Sequence, residues 1–244
     1  IMISIGAHAT MLQSWHPRLT PAWNSPAWSL STEMFFYVIF LVSMPFILKR
    51  RRNFIEMVIL YLAPLLVYFL VWKVKPELTY SDKFTTFWRS FPPIRAFEFL
   101  IGIYLYNLVR TKHALINFIK NNSSIVFWGS VFVSVGLSQI SISALKNVYS
   151  SLFLIPFFSL IILSSYFGNI KGKTLFTSPL MQLLGGASYA LYIVHQPFKN
   201  YVGANMQASL TTGLIYIGSL VTLSIFLYKY FELPAQNYLR KKLL

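Results

Sequence analysis

The chain has 244 residues, 56% hydrophobic and only 11% charged, with 21 Lys and Arg against 6 Asp and Glu. Soluble domains carry about 25% charged residues, so this composition and a mean hydropathy of +0.58 exclude an ordinary water-soluble fold. The absence of cysteine excludes a disulfide framework and a thiolate metal site, and no basic stretch is long and polar enough to turn the net charge of +15 into a nucleic-acid surface.

A bilayer core of about 30 Å is crossed by about 20 apolar residues in a helix. The first apolar run, IMISIGAHATML, lacks the basic region and small-residue cleavage site of a signal peptide. It reads as the second half of a membrane helix, so the sequence is expected to be a fragment. Seven full segments follow, at 28–48, 54–72, 94–109, 124–140, 148–167, 180–199 and 208–228. The longest polar connection, KVKPELTYSDKFTTFWRSFPP at 73–93, mixes charges with aromatics and ends in Pro-Pro. It is expected to be a loop carrying a short helix at the interface. No repeat, low-complexity tract or soluble domain interrupts the chain. The expectation is therefore a single integral-membrane domain over 1–244. Its fold class is all-α, a polytopic transmembrane helix bundle of about seven full membrane helices plus a partial N-terminal one.

Orientation follows from Lys and Arg. The clusters Lys49–Arg52 and Arg240–Lys242 fall at one set of loop ends, together with Arg110, Lys120 and Lys171. That set is cytoplasmic, because cytoplasmic loops are enriched in Lys and Arg. Glu33, the pair Arg95 and Glu98, and His195 then lie near the outer ends of their helices. An ionisable group inside an apolar span costs several kcal/mol unless it is paired or hydrated. These four residues are the candidates for function.

Glu33 follows Trp28, Ser29 and Ser31 and reads as a buried carboxylate. Arg95 and Glu98 are three apart, which puts them on one helix face. They form either a local ion pair that lets the helix insert or, in addition, a cationic group facing a polar cavity. An arginine fork suits carboxylate or phosphate there. Tyr189, Tyr192 and His195 form a stripe at spacings of three, with Gln196 beside it. Ordinary helix packing is the alternative reading of that stripe. Pro197 removes a backbone donor, so the helix is expected to bend or end there and free a carbonyl. Glu56 is expected at headgroup level, and Glu232 beside a Lys or Arg. Glu77, Asp82 and His113 are expected to be solvated, and His8 and His16 are isolated. No P-loop, GxGxxG, HExxH or GxSxG motif occurs. No His and carboxylate spacing makes a metal site.

Four phrases then line up with one family. WSLSTEMFFY resembles the W-S-L-[S]-x-E-x-x-F-Y signature of membrane acyltransferase family 3. RAFEFLIGI is similar to its R-x-x-E-F-x-x-G element, LGGASYALYIVHQPF to its L-G-x-x-S-Y-x-L-Y-x-x-H-x-P element, and YFELP to its F-E-x-P element. They occur in family order from Trp28 to Pro234. The resemblance implies a fold of about ten membrane helices and transfer of an acyl group, often acetyl, from a cytoplasmic coenzyme A thioester. The implied acceptors are hydroxyls of extracytoplasmic polysaccharides or glycolipids of the cell envelope, and the implied location is the bacterial inner membrane. The implied catalytic set is Glu33, Arg95, Glu98 and His195. Trp28, Ser29, Tyr37, Tyr189 and Tyr192 are the substrate-binding candidates. No metal and no tightly bound cofactor is expected. Acyl-CoA is a substrate, and the other partners are the lipid bilayer and the glycan acceptor, with no nucleic acid. Family members begin with a helix bearing an arginine and then a histidine regarded as catalytic, and carry a further Arg-rich motif. Neither is found in this sequence, so about three helices and the principal base are expected upstream of Ile1. A transporter or flippase lined by intramembrane charges is a rival, although no repeat relates the two halves. A non-catalytic remnant is the third reading.

Overall fold

The computed structural model describes residues 2–20, 24–49, 53–75, 77, 88–139, 149–202 and 209–243. It is 89% helix, with no strand among the described residues. In chain order the helices are α1 (Met2–Ala9), α2 (Trp28–Lys49), α3 (Asn53–Val74), α4 (Pro92–Arg110), α5 (Ala114–Asn121), α6 (Ser123–Gln139), α7 (Tyr149–Phe167), α8 (Lys173–Phe176), α9 (Pro179–Val202), α10 (Leu210–Leu227) and α11 (Leu233–Leu243). Each of the seven expected segments coincides with a helix: α2, α3, α4, α6, α7, α9 and α10.

Among the described residues three stretches are long and apolar enough to cross a membrane: Ser25–Lys49, Phe54–Val74 and Leu210–Leu243. Ser123–Gln139 and Leu152–Phe167 are shorter apolar helices. In α4 the charges Arg95, Glu98 and Arg110 interrupt the apolar run. In α9 it is His195, Gln196 and Lys199 that do so. The interfacial helix expected in the 73–93 loop falls mainly on 78–87, outside the described residues.

Prolines 45, 64, 156 and 197 all lie inside helices. The helix at Pro197 therefore does not end there, which corrects half of the expectation. Membrane helices tolerate such breaks where neighbouring groups satisfy the freed backbone. Several hydroxyls in the apolar helices are satisfied locally. Ser43, Ser164, Thr222 and Ser224 each donate to the carbonyl four residues back, at 2.6–2.8 Å.

The chain forms two compact units. The first comprises Ile1–Ala22 and Trp28–Lys171. Its core gathers Phe97, Ile101, Leu105 and Leu108 of α4 against Tyr68 of α3 and Leu152 of α7. α4 also packs along α2. These two run parallel, since start is joined to start and finish to finish. They are tied at both ends. Near the start, Thr32 Oγ1 donates to Ser90 O at 3.2 Å. At the finish, the last carbonyls of α2 have no helical donors, and α4 supplies them. Fully buried Asn107 donates through Nδ2 to Ile47 O at 2.9 Å, and Arg110 donates to Leu48 O. Glu56 accepts from Tyr104 Oη at 3.0 Å. His113, expected to be solvated, caps α5 by accepting from Leu115 N at 3.3 Å and stacks on Phe54. The turn places it over an aromatic ring, which sequence spacing cannot show.

The second unit comprises Trp23–Ala27 and Gly172–Leu244. Here α9 packs along α10. A methyl group at Gly186 would overlap the Tyr228 ring, so only glycine allows that approach. Tyr228–Glu232 form a π-turn just ahead of Pro234. In regular α geometry the proline ring would press on the Tyr230 carbonyl, and the wider turn relieves this. Glu232 accepts from Gln236 Nε2 at 3.0 Å, in place of the expected Lys or Arg.

Candidate active site

The head of α2 is assembled from residues that sequence periodicity does not reveal. A 3₁₀ turn, Gln13–Trp15, packs against it. Fully buried Ser14 donates through Oγ to Trp28 O at 2.8 Å, and its N–H reaches Ser31 Oγ at 3.4 Å. Thr32 also donates to Trp28 O. Trp15 sets its edge against Phe35 and Phe91. The helix start that carries Trp28, Ser29 and Glu33 is thereby fixed against the start of α4.

Arg95 and Glu98 make the expected pair, Nη2 to Oε2 at 2.7 Å, with side chains 18% and 25% exposed. The guanidinium carbon also lies 5.9 Å from the centre of the Trp28 ring. That distance is within reach of a cation–π attraction. Arg95 is thus oriented by an anion one turn along its own helix and by an aromatic face on α2. Glu98 Oε1 is buried without a hydrogen-bond partner.

Below this pair a groove of about 530 Å³ runs between α2 and α4. Phe40 and Met44 line it from α2, and Glu98, Phe99, Gly102 and Tyr106 from α4. A Cβ at Gly102 would meet nothing within 4 Å, so the glycine leaves real space. Phe36 stacks on Phe99 at 4.9 Å beside it. Glu33, Phe40 and Met44 are spaced i, i+7, i+11, which places Glu33 on the groove-lining face of α2, at its upper end. Contrary to the expectation of burial, Glu33 is exposed on this unit. Depth in an apolar run fixes the level of a residue but not the face it takes, and here Ser31 and Thr32 take the inward positions. Tyr37 is also exposed, at 64%. No ion pair joins Glu33 to Arg95 among the described residues.

In the second unit, His195 Nδ1 lies 2.6 Å from Tyr192 O. A carbonyl only accepts, so Nδ1 carries the hydrogen, and in the neutral ring Nε2 keeps the lone pair. The Tyr192 and His195 rings are 5.8 Å apart, and Tyr216 Oη donates to His195 O at 3.4 Å. Tyr192 donates through Oη to Pro26 O at 3.1 Å, while Tyr189 is partly exposed. The carbonyl freed by Pro197 is Ile193 O, and Asn24 Nδ2 donates to it at 2.9 Å. Asn24 escaped sequence reasoning because its partner is 169 residues away. Among the described residues no three His, Asp or Glu side chains converge as metal ligands would.

The structure therefore joins Trp28, Arg95 and Glu98 at the head of an apolar groove. It gives His195 and Tyr192 their own setting on α9. Apolar helices bearing such polar heads are the mark of a membrane protein. The family model described as an acyltransferase domain, that of acyltransferase family 3, matches residues 2–229. The chain belongs to this family, and the activity is that of an acyltransferase for groups other than aminoacyl. Among curated proteins and among solved structures, none matches the chain.

Proposed function

We propose that this protein is a multi-pass enzyme of the bacterial inner membrane that transfers an acyl group, acetyl in the simplest case, from acyl-CoA to a hydroxyl of an extracytoplasmic polysaccharide or glycolipid. The observation that carries the reading is Arg95, oriented by Glu98 and Trp28 at the head of the apolar groove. In the reaction the acceptor oxygen attacks the thioester carbonyl. A C–O bond forms, the C–S bond breaks, the hydroxyl proton passes to a base, and coenzyme A leaves as thiolate and takes up a proton. A guanidinium fits either the oxyanion of the tetrahedral intermediate or an anionic part of the donor. The apolar groove suits an alkyl chain. Glu33, on the same face and at the same end of α2, is the group to orient the acceptor hydroxyl. His195 offers Nε2 as a hydrogen-bond acceptor toward the substrate, with Tyr189 and Tyr192 beside it. A general base contributes about 10²–10⁴-fold.

The test is acyl-CoA turnover by the full-length protein in lipid vesicles, read as free coenzyme A thiol and as label moved from [¹⁴C]acetyl-CoA to added envelope glycan. Glycan-dependent thiol release supports the reading. Glycan movement across the vesicle without any acyl-CoA consumption would replace it with a transporter.

A further inference from the structure

α9 runs unbroken from Pro179 to Val202 with Pro197 inside it. Proline has no N–H, so the carbonyl four residues earlier, Ile193 O, loses its helical donor. The freed carbonyl then needs another donor. Asn24 Nδ2 supplies it, at 2.9 Å. Because the carbonyl can only accept, the Asn24 amide is fixed with its NH₂ toward Ile193 and its Oδ1 turned away. That Oδ1 is buried without a partner. The same short segment is tied a second time, where Tyr192 Oη donates to Pro26 O at 3.1 Å. Pro26 and Ala27 are themselves buried. Two consecutive residues of α9, Tyr192 and Ile193, are thus pinned to the 24–27 strap, and one of them supplies the carbonyl that holds His195 Nδ1.

We propose that Asn24 is a positioning residue, which caps the carbonyl stranded by Pro197 and thereby aims the His195 ring. The proposal rests on the reading of His195 as part of the acyl-transfer site. A carboxylate at position 24 would set an anionic oxygen against the Ile193 carbonyl and leave the other without a donor. Aspartate is therefore a worse replacement than alanine, although it is closer in shape.

The experiment uses the full-length protein, purified in detergent, as wild type, Asn24→Ala, Asn24→Asp, Pro197→Ala and the double variant Asn24→Ala/Pro197→Ala. Two quantities are read: the thermal unfolding midpoint, and kcat and KM for acyl transfer per folded molecule. Alanine at 197 restores a backbone N–H, which can satisfy Ile193 O without Asn24. Asn24→Ala should therefore lower the midpoint in the wild-type background and barely move it in the Pro197→Ala background. In the wild-type background it should lower kcat by about tenfold or more, since small misplacements of a reacting group cost that much, with KM for acyl-CoA within about twofold. Asn24→Asp should fall further in both readouts. Equal midpoint losses in the two backgrounds would overturn the cap, and an unchanged kcat in folded Asn24→Ala protein would overturn the positioning role. A wild-type protein without acyl transfer would remove that role together with the functional reading, while the unfolding cycle would still decide the cap.

Discussion

Replacing Arg95 by methionine tests the central pair most sharply. The ion pair is 2.7 Å long and its side chains are 18% and 25% exposed. Arg95→Met strands a mostly buried carboxylate whose second oxygen already has no partner. Removing one member of a buried pair costs about 3–5 kcal/mol, and the residual exposure here brings the expectation down to about 2–3 kcal/mol. For a protein of this size that is a fall of about 4–12 °C in the unfolding midpoint. The double variant Arg95→Met/Glu98→Met removes both charges and extends the apolar lining of the groove, so it should return to within about 1 kcal/mol of wild type. Acyl transfer should be lost in both variants, because neither has the guanidinium. The assay is thermal unfolding in detergent followed by tryptophan fluorescence, paired with acyl-CoA turnover. A double variant as unstable as the single one would refute the reasoning that an uncompensated charge causes the loss. A stable double variant that still transfers acyl groups would reduce the pair to an insertion device.

Three further outcomes follow from particular residues. Gly102→Leu has open space around its new side chain, so it should leave the unfolding midpoint within about 2 °C while filling the groove. Turnover of long-chain acyl-CoA should fall at least about tenfold relative to acetyl-CoA, and equal losses along a chain-length series would detach the groove from the acyl group. Glu33→Gln should keep stability, since Glu33 is exposed, and reduce glycan acylation by about 10²-fold; normal acylation in that variant takes Glu33 out of the mechanism. Asn107→Leu removes the donor to Ile47 O and should cost about 1–3 kcal/mol, read as a lower unfolding midpoint with KM unchanged. A midpoint equal to wild type would mean that α4 does not hold the end of α2.

Much of the helical architecture was legible from hydropathy: each of the seven apolar runs coincides with a helix, and three of the helices among the described residues are long and apolar enough to cross a membrane. The spacing of Arg95 and Glu98 announced their pairing, since residues three apart on a helix must share a face. The face taken by Glu33 was not legible. α2 is apolar on nearly every side, so no periodicity separated the inward Ser31 and Thr32 from the outward Glu33. Gln13 and Ser14 were missed for a related reason: a 3₁₀ turn of three residues carries no repeating pattern. Gly102 entered the sequence reading only as the glycine of the R-x-x-E-F-x-x-G element, and the groove beside it shows the space it leaves. Pro197 was recognised as a break, but its compensation by Asn24 depends on a contact that no local pattern encodes.

Many of the polar side chains bond to backbone in one of two ways, and the division bears on which of them matter. Ser43, Ser164, Thr222 and Ser224 return their hydrogen to their own helix, so removing them should change little beyond the helix itself. Ser14, Asn24, Thr32, Asn107 and Tyr192 reach instead to backbone elsewhere in the chain, and each fixes the position of a helix end or a break. In water such a bond is worth little, because solvent competes for both partners. The carbonyls at Ile47, Leu48 and Ile193 have lost their helical donors to a helix end or to a proline, so these few bonds decide how the helix ends and the break are held. Arg95, Glu98 and His195 lie beside those points: the ion pair near the Thr32–Ser90 tie, the histidine on the turn that Asn24 caps. The backbone that carries Arg95, Glu98 and His195 is thus held by bonds from distant parts of the chain rather than by its own helix alone.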